Sequence, residues 1–211
     1  TVYGPAAGFP QYVNMQRNPI PAVVMTAALS ACALQPEALN SERIKNRFGS
    51  YGVEIVDQDG NTRRSSLYSV HDGERICRTY AVVEFVSSSA VDMPEIHSKV
   101  ISGASIGATL KDAGWEIRKE TTYVGKMRTP ADEHLIHELM HLQPGTELSV
   151  HAYHLHVEKS STSTHYATII EAHHPEYLVE SELQELYAPA STPDADEIHR
   201  VHQLVLATGQ D

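Results

Sequence analysis

His137-Glu138-Leu139-Met140-His141 has the spacing HExxH. On a helix, His at i and i+4 can share one zinc while the Glu polarises a metal-bound water, which is the chemistry of a zinc hydrolase. His134 lies three residues earlier on nearly the same face. Against a metal, the segment that can be helical is short and stops at Pro144-Gly145. No second motif supplies a third ligand, and one straight helix does not close a tetrahedral site. The sequence therefore favours an amphipathic helix with Ile136, Leu139, Met140 and Leu142 inward and its histidines outward. The expectation is no metal and no other cofactor, with a zinc hydrolase through His137, Glu138 and His141 as an alternative.

A second group of histidines falls on strand-like sequence. His154 and His156 share a face with Val150 and Ala152, and His151 takes the other. Together with His165 they could meet a metal, but a partly exposed sheet face is the favoured expectation. Glu171 is different. By strand parity it shares a face with Ile169 and Ala167. A carboxylate on an apolar face is costly unless it has a partner or a task. Tyr80-Ala81-Val82-Val83-Glu84 echoes Tyr166-Ala167-Thr168-Ile169-Ile170-Glu171, and each is followed by a Pro-Glu pair, Pro94-Glu95 and Pro175-Glu176. The candidate ligand-binding residues are thus Glu171, with Tyr80, Glu84 and Tyr166 in weaker company. Glu171 is also the one candidate for catalysis.

The elements that must position these residues read as strands punctuated by short helices. Ser41 opens a helix to Phe48, ended by Gly49. Strands follow from Tyr51 to Asp57, Arg63 to Val70 and Ile76 to Val86, with turns at Asp59-Gly60-Asn61 and His71-Asp72-Gly73-Glu74. Ser87 to Val91 reads as a loop. Pro94 to Ile101 and Ser105 to Ala113 read as helices and Trp115 to Val124 as a strand. Thr129-Pro130 is expected to start the HExxH helix, which runs to about Leu142. Glu147 to Glu158 and His165 to Ala172 form a strand pair. Pro175 opens a helix to about Leu186, and Thr192-Pro193-Asp194 caps the last one, whose apolar Ile198, Val201 and Val205 recur at helical spacing. The expected class is α+β, a mainly antiparallel sheet with short flanking helices.

The chain has 211 residues, a net charge of -11, 41% hydrophobic and 20% charged residues, and thirteen His. Lys and Arg never cluster, so nucleic acid is not an expected partner. Met15 to Cys32 has Arg17, an apolar run from Ile20 to Ala28 and the close Leu29-Ser30-Ala31-Cys32. That order is the layout of a secretory signal, and its apolar run is too short to span a bilayer. The close resembles a bacterial lipobox, which makes Cys32 the lipidation site and places the protein in the cell envelope on a lipid anchor. Residues 1–32 are then extension and signal, 33–40 a tether, and 41–211 one α+β domain. Cys77 is left as a lone thiol, or pairs with Cys32.

The run from Leu139 to Leu178 resembles the C-terminal half of the chorismate lyase/UTRA superfamily. Leu139, Leu142 and Gly145 approximate its Leu-x-Leu-x-x-Gly close, and Glu171-Ala172-His173-His174-Pro175 has the lyase pattern E-x-x-x-P. Asp72-Gly73-Glu74, Val82-Val83 and Ile106-Gly107-x-x-Leu110 match the first half more loosely. The resemblance covers about Arg63 to Leu178 and implies a small-molecule pocket. It also implies two substrate-holding arginines. Here the first expected position is Ser65, with Arg64 one place off, and the second is Tyr80. A one-residue slip reverses the face. The sequence therefore favours an exported lipoprotein with a small-molecule-binding domain that is not primarily a catalyst. A lyase-like enzyme using Glu171 and Arg64 is one alternative, and a structural envelope lipoprotein another. A closed cavity at Glu171 containing an Arg favours the enzyme, a cavity alone favours binding, and no cavity favours the structural role.

Overall fold

The computed structural model describes residues 38–187 and 192–207. The signal, Cys32 and residues 33–37 of the proposed tether lie outside them. Helix α1 (Asn40–Phe48) leads into strands β1 (Gly52–Asp59), β2 (Thr62–His71) and β3 (Glu74–Phe85). Helices α2 (Ser89–Asp92), α3 (Pro94–Ile101) and α4 (Ile106–Asp112) follow, then β4 (Glu116–Arg128) and α5 (His134–Met140). Strands β5 (Glu147–Lys159) and β6 (Thr162–His173) and helices α6 (Glu180–Leu186) and α7 (Ala195–Leu206) complete the order.

Strands β1-β2-β3 and β4-β5-β6 are two antiparallel meanders. They meet through β3 and β6, also antiparallel, to give the six-stranded order β1-β2-β3-β6-β5-β4. The echo between the Tyr80 and Tyr166 segments thus falls on the two central strands, each the last of its meander. The Asp72-Gly73 turn joins β2 to β3 with both residues at positive φ (50° and 87°), the backbone of a tight hairpin whose twist suits its strands. The fold class is the expected one: α+β, a mainly antiparallel sheet with short flanking helices.

Strand alternation separates the two faces. Tyr80, Val82, Val150, Ala152, Ile170 and Ala172 pack under Ile136 and Met140 of α5 and Val201 and Val205 of α7. Val83, Tyr153, Leu155 and Ile169 pack on the other face against Val100 of α3 and Ile106 and Leu110 of α4. Ile44 of α1 and Leu183 and Leu186 of α6 close the far end of that second face around Tyr177 and Leu178. Each fully buried aliphatic side chain contributes about 1.5–3 kcal/mol by leaving water.

Three local expectations are corrected. The HExxH helix begins at His134, not after Thr129-Pro130, because the Glu133 carboxylate accepts the Ile136 N–H (3.2 Å) and caps it. Pro175-Glu176 opens a turn, because the His174 ring nitrogen takes the Glu176 N–H (3.0 Å), and the helix waits until Glu180. Within the Ser-rich segment, Ser89 begins a single helical turn, its hydroxyl donating to the Tyr166 carbonyl (2.6 Å). The last helix starts where expected, with Asp194 Oδ1 accepting the Glu197 N–H (2.8 Å). Asp194→Ala is expected to cost about 1 kcal/mol, read as a drop of about 2–4 °C in a thermal melt.

Candidate functional site

The two clusters on the α3–α4 face part over the middle of the sheet and leave a cavity of ≈ 80 Å³. A water needs about 10–15 Å³ of such space, so the cavity holds several waters or a small organic molecule. Its walls are mostly apolar: Val53, Leu67, Val83, Ile106, Ile117, Leu155 and Ile169, with Leu39 at one side. The polar groups are few: Asn40, Ser41, Tyr51, Arg63, Ser105, Lys119, Tyr153 and Glu171. An apolar enclosure with a handful of polar groups is the usual composition of a ligand pocket.

Glu171 stands at the centre of a buried polar network. Strand parity brings it to this face beside Ile169, as the sequence predicts, and it is 6% exposed. Asn40 Nδ2 donates to Glu171 Oε1 (3.1 Å) and, from the same nitrogen, to Thr79 Oγ1 (3.1 Å). The Tyr153 hydroxyl shares a hydrogen bond with Glu171, and its pKa is pushed far up by burial and by that carboxylate. His151, the cross-strand partner of Glu171, holds Nδ1 at 3.9 Å from Oε2, too far for a hydrogen bond. Its other nitrogen meets Thr121 Oγ1 (3.1 Å), and its ring stacks on Tyr187 with centroids 4.1 Å apart. Burial holds the His151 pKa well below the usual imidazole value, reinforced by Lys119, His173 and Arg43. His173 is pushed down to about 4, again by burial, while Glu171 works in the opposite direction.

Two cations face the same space. Lys119 Nζ sits over the rings of Tyr153 (4.5 Å) and Tyr187 (5.2 Å). Arg63 Nη1 donates to the carbonyls of Val100 (2.6 Å) and Ala104 (3.3 Å), while its buried Nε has no hydrogen-bond partner among the described residues. Burial lowers the Arg63 pKa. Neither cation pairs with a carboxylate among the described residues.

The other sequence candidates are not brought together with Glu171. Tyr80 is fully buried on the opposite face, in the cluster under α5 and α7. Glu84 lies on that face too and pairs with Arg200 of α7. Tyr166 is buried on the cavity's side of the sheet but away from it, its hydroxyl 3.3 Å from His97 Nδ1. Arg64 points away from the cavity and pairs with Asp57 (3.1 Å). His137 is turned inward, against the expectation, to Thr129 Oγ1 (2.8 Å). His141 lies past the helix end at φ 54° and faces Glu74 (3.9 Å), so the two histidines do not share a helical face. Sequence reasoning missed Arg63, Lys119, Tyr51 and the Asn40 bridge. Parity offered a signal for the first: Arg63 is two residues from Ser65 and therefore on its face.

Comparison with known proteins finds no family model and no curated protein that match this chain. Solved structures do. PhnF from Mycobacterium smegmatis matches at TM-score 0.44 and 10% identity over 74% of this chain and 69% of that one. A transcriptional regulator (GntR family) from Enterococcus faecalis matches at 0.38 and 11% over 62% and 93%. The C-terminal domain of Yurk from Bacillus subtilis matches at 0.35 and 10% over 62% and 89%. Against two expectations from the sequence, the exclusion of nucleic acid from the partners and the exported, membrane-anchored location, stands the description of one of these neighbours as a transcriptional regulator (GntR family).

Proposed function

We propose that this domain holds a small molecule in the cavity over Glu171 and that binding, not turnover, is its task. One observation carries the reading. A buried carboxylate and two cationic side chains without carboxylate partners among the described residues face one apolar-walled cavity. Leaving such groups unpaired in a low-dielectric site is costly, and a ligand carrying complementary groups relieves that cost. The walls suit an apolar body, Lys119 and the free Arg63 Nε suit an anionic group, and Glu171 suits a donor such as an amine or hydroxyl.

Benzoate, phenyl phosphate and phenylalanine are the probes that test it on the full chain. At least one is expected to bind saturably and to perturb the amide resonances of Lys119 and Ile169. Lys119→Met is expected to weaken an anionic probe at least tenfold, since a hydrogen bond to a charged group contributes about 1.5–3 kcal/mol. Glu171→Gln is expected to weaken phenylalanine more than benzoate. Absence of any binding, or binding that neither substitution alters, overturns the proposal.

A second reading has its own support. Arg63 puts an arginine in the Glu171 cavity, as a lyase-like enzyme requires, in place of Arg64, but the cavity is half open and not closed, which keeps binding ahead. Chorismate converted by the wild type and not by Glu171→Gln would favour it over binding alone.

A further inference from the structure

Three histidines with no place at the cavity stand together on the opposite face of the sheet. His156 and His165 are cross-strand partners on β5 and β6, and His154 sits opposite Glu120 of β4. The ring centroids are 4.8 Å apart for His154 and His165, 5.2 Å for His156 and His165, and 6.4 Å for His154 and His156. Imidazoles sharing one tetrahedral ion at about 2.0–2.1 Å place their ring centres roughly 5 Å apart.

Two of the rings are held by one nitrogen. His154 Nδ1 meets Thr168 Oγ1 (3.0 Å), and His165 Nε2 donates to the Ala167 carbonyl (3.0 Å). That arrangement orients a ring and leaves its other nitrogen for a metal. His156 Nε2 is buried without a hydrogen bond, yet lies 3.1 Å from Glu120 Oε2. The contact is an ion-pair distance with the wrong angle for a hydrogen bond. Two ligands about 2.1 Å from one ion stand roughly 3–3.4 Å apart, so this pair has the spacing of atoms that share a cation.

We propose that His154, His156 and His165, completed by Glu120, take a divalent transition metal of the zinc class that ties β4, β5 and β6 together. The donors are not pre-set: no three such groups among the described residues are already arranged to hold an ion. The ion assembles the site by turning the rings, whose terminal torsions are soft. Arg118, 3.5 Å from Glu120 and 3.7 Å from Glu158, gives up its hold on Glu120 when the ion enters. A net charge of -11 favours cation capture over the surface as a whole.

The test uses the untagged full chain, stripped with chelator and titrated with zinc chloride at pH 7.5. One site of micromolar or tighter affinity is expected. The double variant His156→Gln/His165→Gln is expected to lose at least a hundredfold, and His137→Gln and His141→Gln less than twofold. Affinity is expected to fall at pH 5.5, where protons compete for the imidazoles. X-ray absorption of the zinc complex supplies a readout without substitution, three imidazole shells at about 2.0–2.1 Å. No stoichiometric zinc, binding that survives the double substitution, loss in His137→Gln, or fewer than three imidazoles would overturn the proposal. The cavity is on the other face, so each result leaves the ligand-binding reading to its own test.

Discussion

Acidifying this protein from pH 7 to pH 5 is expected to remove roughly 2 kcal/mol of folding stability through His173, with a further loss of the same sign from His151. His151 and His173 are 0% and 1% exposed. Each is held neutral in the fold, His173 with a pKa near 4 and His151 well below its ordinary value, both mainly by burial. In the unfolded chain both titrate near 6.5. Between those values the unfolded state binds the extra protons, so stability rises with pH and is lost as pH falls from about 6.5 toward 4. The contribution is fully present above the unfolded value, the reverse of a histidine stabilised by a carboxylate. His173 Nδ1 meets Thr79 Oγ1 (3.0 Å) and its Nε2 has no hydrogen-bond partner among the described residues, so no acceptor among them awaits a second proton there. Urea unfolding at pH 7, 6 and 5 measures the effect. His151→Phe keeps the stack on Tyr187 and removes the titration, and should lose less stability over that range than the wild type. A wild-type stability that does not change between pH 7 and 5 rules out the neutral buried pair.

The same burial explains what the sequence could and could not disclose. Periodicity located the six strands, because alternating apolar residues along β3, β5 and β6 have to fill two faces at once. It placed Glu171 beside Ile169 for the same reason. Parity alone could not say that Tyr80 and Glu84 point to the other side, since facing is relative until two strands are paired. Residue Ala81, not Tyr80 or Glu84, sits opposite Glu171, and that register fixes the separation. Asn40 reads as tether because a polar residue before a helix usually caps it toward water. Here Glu171 and Thr79, 131 and 39 residues away in the chain, draw its amide into the core. Helix starts were misjudged where a side chain outside the pattern won: Glu133 took the cap that Thr129 was expected to supply, and Thr129 turned to His137. No local signal carries those choices, because each is decided by a partner that only the fold brings near.

Two adjacent arginines should therefore behave very differently. Arg63→Ala is expected to cost about 2–4 kcal/mol, because it strips hydrogen bonds from buried carbonyls and opens a void. Those carbonyls, Val100 and Ala104, lie where α3 ends and the chain turns into α4 at Gly103 (φ 107°). Besides Arg63, the Val100 carbonyl accepts only the Gly103 N–H (3.0 Å) among the described residues, and a cation at a helix end supplies the further donors its last carbonyls lack. Arg63 is 3% exposed, so water does not replace what is lost. Arg64 points to the other face, where it pairs with an Asp57 that is 38% exposed. Arg64 is itself buried, but its one partner among the described residues is half in water and no carbonyl among them depends on it, so Arg64→Ala should cost about 1–2 kcal/mol, less than Arg63→Ala. Arg63→Lys should recover only part of the loss, since both bonds come from Nη1, at the end of a longer side chain than that of lysine. Because Ser105, Ile106 and Gly107, just past that turn, line the cavity together with Arg63 itself, Arg63→Ala should also weaken benzoate binding, while Arg64→Ala leaves it unchanged. Chemical denaturation and a benzoate titration of the three variants decide it. Equal losses at the two positions would mean that Arg63 does not hold the α3–α4 turn, and that the wall of the cavity is fixed by the packing of Val100, Ile106 and Leu110 alone.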